Sequence, residues 1–144
     1  MTFLKLAALD AADLDIVSAH VQDAVLKVGD LQFHPAAQRF VMAMNRLAWE
    51  AVRGRLAKRA ERRRSVLHFD RVVAVKLAGI DRGKPAEVLS LLAIRFSPAE
   101  PPAGIIELVF AGKATIRLQV ECIEVRLADL GAAWQASSLP AHRA

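Results

Sequence analysis

The sequence predicts an α+β domain: a strongly bent antiparallel sheet or partly closed barrel, capped by a C-terminal helix. Four observations carry this expectation. Ile106, Leu108 and Phe110 alternate with Glu107 and Val109, and Ile116, Leu118 and Val120 alternate with Arg117 and Gln119, a period of two that marks half-buried antiparallel strands. Ala111-Gly112-Lys113 between them is short enough to force a hairpin, with Gly112 free to take a positive φ. From Cys122 the period changes: Ile123, Leu127, Leu130 and Trp134 fall at i, i+4, i+7 and i+11, one stripe of a helix. Finally, the connections are short throughout, which favours pairing between sequence neighbours.

The remaining elements follow in chain order. Phe3 to Leu9 reads as a first strand. Asp10 is placed to cap a helix, Asp13 lies in its first turn where the dipole favours a carboxylate, and Leu9 is placed to staple against Leu14. Leu14, Val17 and Val21 continue that helix's apolar stripe. Ala24 to His34 is strand-like but interrupted at Gly29-Asp30, which predicts a bulge or break. After a short connection from Pro35 to Gln38, Phe40, Met42 and Met44 share one face of a strand. Asn45-Arg46 disturbs its phase, so that either the strand bulges there or a helix begins.

Ser65 to Gly79 reads as one long strand with Leu67, Phe69, Val73, Val75 and Leu77 in a row. Arg71 falls in that row, which predicts a bulge, an edge position or a pairing with a carboxylate such as Asp70. Asp81 to Pro85 closes the strand, and Val88 to Phe96 forms the next, with Leu92, Ile94 and Phe96 in phase. A Pro-rich loop from Ser97 to Gly104 leads into the final hairpin. An open antiparallel sheet with both helices on one face is the alternative arrangement.

The 144 residues, 54% of them hydrophobic, suit a single domain over 1–144 with a sizeable core. One cysteine, Cys122, cannot form an internal disulfide. The opening MTFLKLAALDAADLD is broken by aspartates and lacks the basic start of a secretory leader. LSLLAI, the longest apolar run elsewhere, is far short of the roughly 20 residues of a spanning helix. A cytoplasmic protein is expected. The charge, however, is localised. Arg53, Arg55, Lys58, Arg59, Arg62, Arg63 and Arg64 crowd into twelve residues opposed only by Glu61, and they hold the whole positive excess of a chain whose net charge is +5. This segment reads as an exposed excursion between two strands, partly helical at most, whose arginines contribute little to stability.

The chemistry-bearing residues form no recognisable catalytic pattern. His20, His34, His68 and His142 lack metal-ligand spacing, and a single cysteine cannot complete a zinc site, so neither metal nor cofactor is expected. No Gly-x-Ser-x-Gly elbow and no glycine-rich phosphate loop is present. Cys122 would open the C-terminal helix as a buried structural thiol. His68 and Asp70 would alternate on the solvent side of their strand as a solvated pair. An enzyme would need the sheet to gather Asp23, Asn45, Arg46, His68, Asp70 and Arg71. The basic residues 53–64 are the stronger signal, suited to an acidic protein or another polyanion. Nucleic-acid binding through the backbone alone is the alternative, disfavoured because the run contains no aromatic side chain for base stacking.

The stretches LKLAALDAADLDIVSAHVQDAV, NRLAWE, LHFDRVVAVKLAGID, LLAIRF and IELVFAGKATIRLQVECIEVRLADLGAAW together resemble an uncharacterised family of small alphaproteobacterial proteins, a domain of unknown function. The resemblance covers nearly the whole chain apart from the basic segment, and VECIEVRLADLGAAW is its most distinctive part. It implies a bacterial, soluble, single-domain protein and carries over no catalytic residue. The meander with a closing helix is also similar to the pleckstrin-homology-like architecture, which hosts many functions. The lack of a catalytic constellation beside a localised cationic patch leads instead to the function expected, a non-enzymatic binding or adaptor module for a protein or anionic surface, with oligomeric state and partner left open.

Overall fold

A computed structural model describes residues 4–47 and 62–130 of the chain. Its elements are β1 (Lys5–Ala8), α1 (Ala11–Val21), β2 (Val25–Lys27), β3 (Leu31–His34), β4 (Arg39–Leu47), β5 (Arg62–Phe69), β6 (Val72–Ala78), β7 (Val88–Pro98), β8 (Gly104–Phe110), β9 (Thr115–Val120) and β10 (Val125–Asp129). Every strand pair is antiparallel, and the order across the sheet is β1-β10-β5-β4-β2-β7-β8-β9-β6, with β3 also paired to β4. Among the described residues the sheet does not close: no ladder joins β6 to β1 or to β3.

The alternation read from the sequence places the core. Phe40, Met42 and Met44 of β4, Leu67 and Phe69 of β5, Ile106, Leu108 and Phe110 of β8, and Ile116, Leu118 and Val120 of β9 are all buried in one cluster. Each such side chain contributes about 1.5–3 kcal/mol. The β8–β9 hairpin turns where expected, with Gly112 at φ +78°. Gly104 is fixed by a close approach instead: a Cβ there would lie 2.5 Å from the Phe96 ring.

Helix α1 lies against this sheet. The Asp10 carboxylate accepts the Asp13 N–H at 2.8 Å and so caps it. Leu14, Val17 and Val21 are buried, and the helix packs on β7, β1 and β4. Ser18 Oγ accepts the Ile94 N–H at 2.9 Å. Leu9 is 71% exposed, so the expected staple is not made.

Four expectations are corrected. The C-terminal helix predicted from Cys122 is not formed through Leu130: Val125–Asp129 is a strand held between β1 and β5, with Ile123, Val125, Leu127 and Asp129 buried in alternation. Trp134 lies outside the described residues, and α1 is the one α-helix among those described. The pleckstrin-homology-like analogy rests on that closing helix, and through Asp129 a strand takes its place. Second, β4 neither bulges nor turns helical at Asn45-Arg46. It runs unbroken to Leu47, and Arg46 continues the inward row of Phe40, Met42 and Met44.

Third, Ser65 to Gly79 is two strands rather than one. The chain turns at Asp70-Arg71, where Arg71 takes φ +61°, and crosses into β6. A register shift between Val72 and Ala74 then leaves Val73 41% exposed while Val75 and Leu77 are half-buried. In β7 a similar shift between Leu91 and Ala93 buries Leu89, Leu91 and Ile94 and leaves Leu92 exposed. Fourth, Arg62, Arg63 and Arg64 belong to β5 rather than to an exposed excursion. Arg62 Nη1 donates to the carbonyls of Asp23 and Asn45, Arg64 lies 3.6 Å from the Asp30 carboxylate, and the Arg63 side chain is only 11% exposed. They are thus tied to the fold rather than held away from it. Arg53, Arg55, Lys58 and Arg59 lie outside the described residues.

At this end of the sheet the core is closed by charge. Arg46 is fully buried and meets Asp129 through two hydrogen bonds, Nε to Oδ1 at 2.8 Å and Nη2 to Oδ2 at 2.9 Å. Ser65 Oγ donates to Oδ1 at 2.6 Å, the Leu4 N–H donates to Oδ2 at 2.9 Å, and Arg63 Nη1 lies 3.6 Å away. Burial alone would raise the Asp129 pKa. The hydrogen bonds from Arg46, Ser65 and Leu4, with the Arg46 charge, outweigh it and lower the value from 3.8 to about 2.

Folding thus favours the ionised form of Asp129 over the protonated one. This stability is present above about pH 4 and is lost as pH falls toward 2, amounting to roughly 2 kcal/mol. Asp129→Asn leaves the buried guanidinium without a counter-charge and should lower stability by about 3–5 kcal/mol in urea unfolding at pH 7. A loss under about 1 kcal/mol would show that the pair is not a fixed part of the folded state.

Candidate functional site

At the opposite end of β4 and β5 the polar groups face outward. The inward row Phe40, Phe69 and Val125 is in register across β4, β5 and β10. The neighbouring positions, including Arg39, His68, Asp70 and Arg126, consequently project from the other face. Three reversals meet here. The Asp70 N–H donates to the Glu124 carbonyl and the Val72 N–H to the Gln38 carbonyl, both at 2.9 Å, and the Glu121 N–H donates to the Arg71 carbonyl at 3.0 Å. Gln38 and Arg71 hold positive φ values of 52° and 61°, a conformation uncommon for residues with a Cβ.

The result is an open polar cleft of roughly 380 Å³ between the 37–39 turn, Asp70-Arg71 and the start of β10. Its centre is Asp70, whose side chain is 10% exposed. Arg39 Nε donates to Oδ1 at 2.7 Å and Arg126 Nη2 to Oδ2 at 3.2 Å, so one carboxylate holds two guanidiniums. Arg71 Nε reaches Glu124 Oε1 at 3.5 Å. The three arginine side chains are 40–55% exposed and keep N–H groups turned to solvent. Chemically, this cleft can present forked donors to an anion, the geometry that carboxylates and phosphates accept in pairs. Among the described residues no group of three or more His, Cys, Asp or Glu is placed to hold a metal ion.

Residues 4–142 match a protein family described as protein of unknown function (DUF2948). The chain belongs to that family. No curated protein and no solved structure matches it. No helix among the described residues is long and apolar enough to cross a membrane.

In this DUF2948 chain the six polar residues considered for an enzyme do not converge. Asp70 and Arg71 line the cleft, and His68 lies beside it, opposite Arg126 in the β5–β10 ladder. Asn45 lies at the far end of the β4–β5 ladder opposite Arg64, and Asp23 reaches that end through the hydrogen bond from Arg62. Arg46 is inside the core with Asp129. Asp70 is not the solvated partner of His68 but a buried acceptor for two arginines. Arg71 pairs with Glu124 rather than Asp70. Cys122 is half-buried in the turn before β10 and opens no helix. Of the seven cations expected to bind a partner, Arg62, Arg63 and Arg64 are engaged within the fold, and the other four lie outside the described residues.

Arg39 and Arg126 escape a reading of the sequence, because what makes them neighbours is the pairing of β4 and β10 to the two sides of β5. The only sequence sign is that each flanks an inward apolar residue, Phe40 or Val125.

His68 reports on this environment. Burial lowers its pKa from 6.5, Arg126 and Arg39 lower it further, and Asp70 opposes them. The unfolded chain therefore binds the proton first, and stability falls as pH drops below about 6.5 toward the folded midpoint. In an NMR titration Arg126→Gln should move that midpoint up and Asp70→Asn should move it down. Equal midpoints in the three proteins would show that the guanidiniums and the carboxylate do not face the imidazole.

Proposed function

We propose that the chain is a non-enzymatic binding module whose cleft at the Arg39 end of β4, β5 and β10 takes an acidic segment of a partner protein. The observation that carries this reading is the cleft's charge arrangement: Arg39, Arg71 and Arg126 surround one buried carboxylate and one half-exposed one. Asp70 orients two guanidiniums in advance, which reduces the ordering that a bound anion would otherwise impose. The Arg71–Glu124 contact is long and exposed, so it is worth little and yields readily to a stronger acceptor.

An acidic protein is favoured over nucleic acid by what lines the cleft. Phe40 and Phe69, the aromatics in the adjoining strands, are buried on the opposite face and offer no stacking platform there. Binding through phosphates alone, with the basic segment 53–64, remains the second reading. It draws on the charge excess of that segment rather than on the cleft.

Three probes separate the readings: a labelled glutamate-rich peptide, random-sequence duplex DNA, and vesicles containing anionic lipid. Each is measured by anisotropy or sedimentation at low and near-physiological salt. The peptide should bind most tightly, and Arg39→Gln with Arg126→Gln should weaken it by about tenfold, mostly through faster dissociation. Circular dichroism should show the double variant folded. Duplex binding that survives near-physiological salt and ignores the cleft substitutions would overturn the proposal in favour of the phosphate reading. Vesicle binding alone would assign the cations to a membrane surface.

A further inference from the structure

The sheet stops short of closing between β3 and β6, and a second site lies in that seam. Leu31 and Phe33 of β3, with Val28 and Phe40, form one wall of a cavity of about 120 Å³, and Val75 and Leu77 of β6 form the other. Arg82 lines its rim. The loop that carries Arg82 is fastened to the 28–29 turn by two backbone hydrogen bonds, Val28 N–H to the Glu87 carbonyl and Gly29 N–H to the Pro85 carbonyl, both at 2.9 Å. Asp81, the nearest carboxylate in the chain, accepts the Gly83 N–H at 2.8 Å within its own turn. Among the described residues, the Arg82 guanidinium has no hydrogen bond or ion pair.

Size and charge together select the ligand. Apolar cavities of about 150 Å³ take a benzene-sized guest, whereas sites for drug-sized molecules begin near 300 Å³. At about 120 Å³ the space between the two walls matches a guest of the benzene-sized class. Its walls are apolar and its rim is cationic. We propose that this seam binds a small amphipathic carboxylate, with a compact apolar body, an aromatic ring or short branched chain, between β3 and β6 and its carboxylate on Arg82. The occupant bridges two strands that share no hydrogen bonds. Binding therefore also fastens β6 to β3. The site is separate from the arginine cleft, and neither depends on the other.

Benzoate, benzyl alcohol and acetate test it on the full chain by backbone amide shift mapping. Benzoate supplies body and charge, benzyl alcohol the body alone, and acetate the charge alone. Benzoate should give saturable shifts around residues 28–33 and 75–82 in the millimolar range. It should bind about threefold to tenfold more tightly than benzyl alcohol, the gain expected of a carboxylate on a surface guanidinium. Acetate should not saturate in that range.

Arg82→Gln should erase the preference for benzoate while leaving benzyl alcohol binding unchanged. Val75→Phe, which fills the cavity, should abolish both. Because that change risks disturbing β6, the exposed Arg82 position carries the decision. Absence of saturable benzoate shifts at the seam, or an unchanged preference in Arg82→Gln, would overturn the proposal.

Discussion

A carboxylate removed from water must be surrounded by donors or it will not stay ionised, and Asp129 is surrounded from three other segments. The Leu4 N–H comes from the approach to β1, the Arg46 guanidinium from β4, and the Ser65 hydroxyl from β5. The four strands so joined, β1, β10, β5 and β4, are consecutive in the sheet. Such a pair adds little net energy over an apolar pair of the same volume. What it adds is register. Sliding β10 by one residue would turn Asp129 outward and leave Arg46 in the core without a counter-charge. No apolar side chain at either position imposes so steep a penalty on the wrong pairing. The inward rows of β4, β5 and β10 inherit their alignment from this constraint, and so does the outward row that builds the arginine cleft.

The same pair explains which parts of the fold were legible. Where inward positions are all apolar, as in β8, β9 and the first half of β4, alternation names the strand and its buried face correctly. The Asp10 cap and the Gly112 hairpin are equally plain, because each depends on residues a few positions apart. Arg46 and Asp129, by contrast, each interrupt the alternation of the strand that carries them. In β4 the interruption looks like a bulge. In β10 it leaves Ile123 and Leu127, four apart, and that spacing keeps two residues on the same face of a helix and of a strand alike. Val125 between them points to the strand, but Asp129 breaks the row just where a longer run would have decided it. Each charge reads as an error until the other is placed beside it, and that placement is a property of the sheet.

The candidate site shows the same division between local and distant information. His68, Asp70 and Arg71 are close in sequence, so their proximity at one turn was visible, although their partners were not. Arg39 and Arg126 come from strands on either side of β5, separated by most of the chain. Counting charge pointed instead to residues 53–64. The last three of those cations are drawn into the fold: Arg62 onto two carbonyls, Arg63 toward Asp129 and Arg64 toward Asp30. Formal charge along a sequence says how many cations there are. It does not say which remain available once carbonyls and carboxylates have been assigned to them.

The unclosed seam follows from how the chain is apportioned between the two halves of the sheet. β6 leaves β5 at Asp70-Arg71 and pairs with β9, so it belongs to the β7–β8–β9 half while its predecessor belongs to the β4–β10 half. The Val72 N–H still reaches the Gln38 carbonyl, and beyond that bond the two edges diverge. An exposed strand edge invites pairing with another chain unless it is short, bulged or covered. Both devices are present here: β3 has four residues, and β6 is irregular between Val72 and Ala74. Half-buried side chains from the two strands and the loop fastened at Gly29 fill most of the space between the edges. What remains is a small, apolar-walled space between the two edges, so the device that protects the edges also leaves a cavity sized for a small guest.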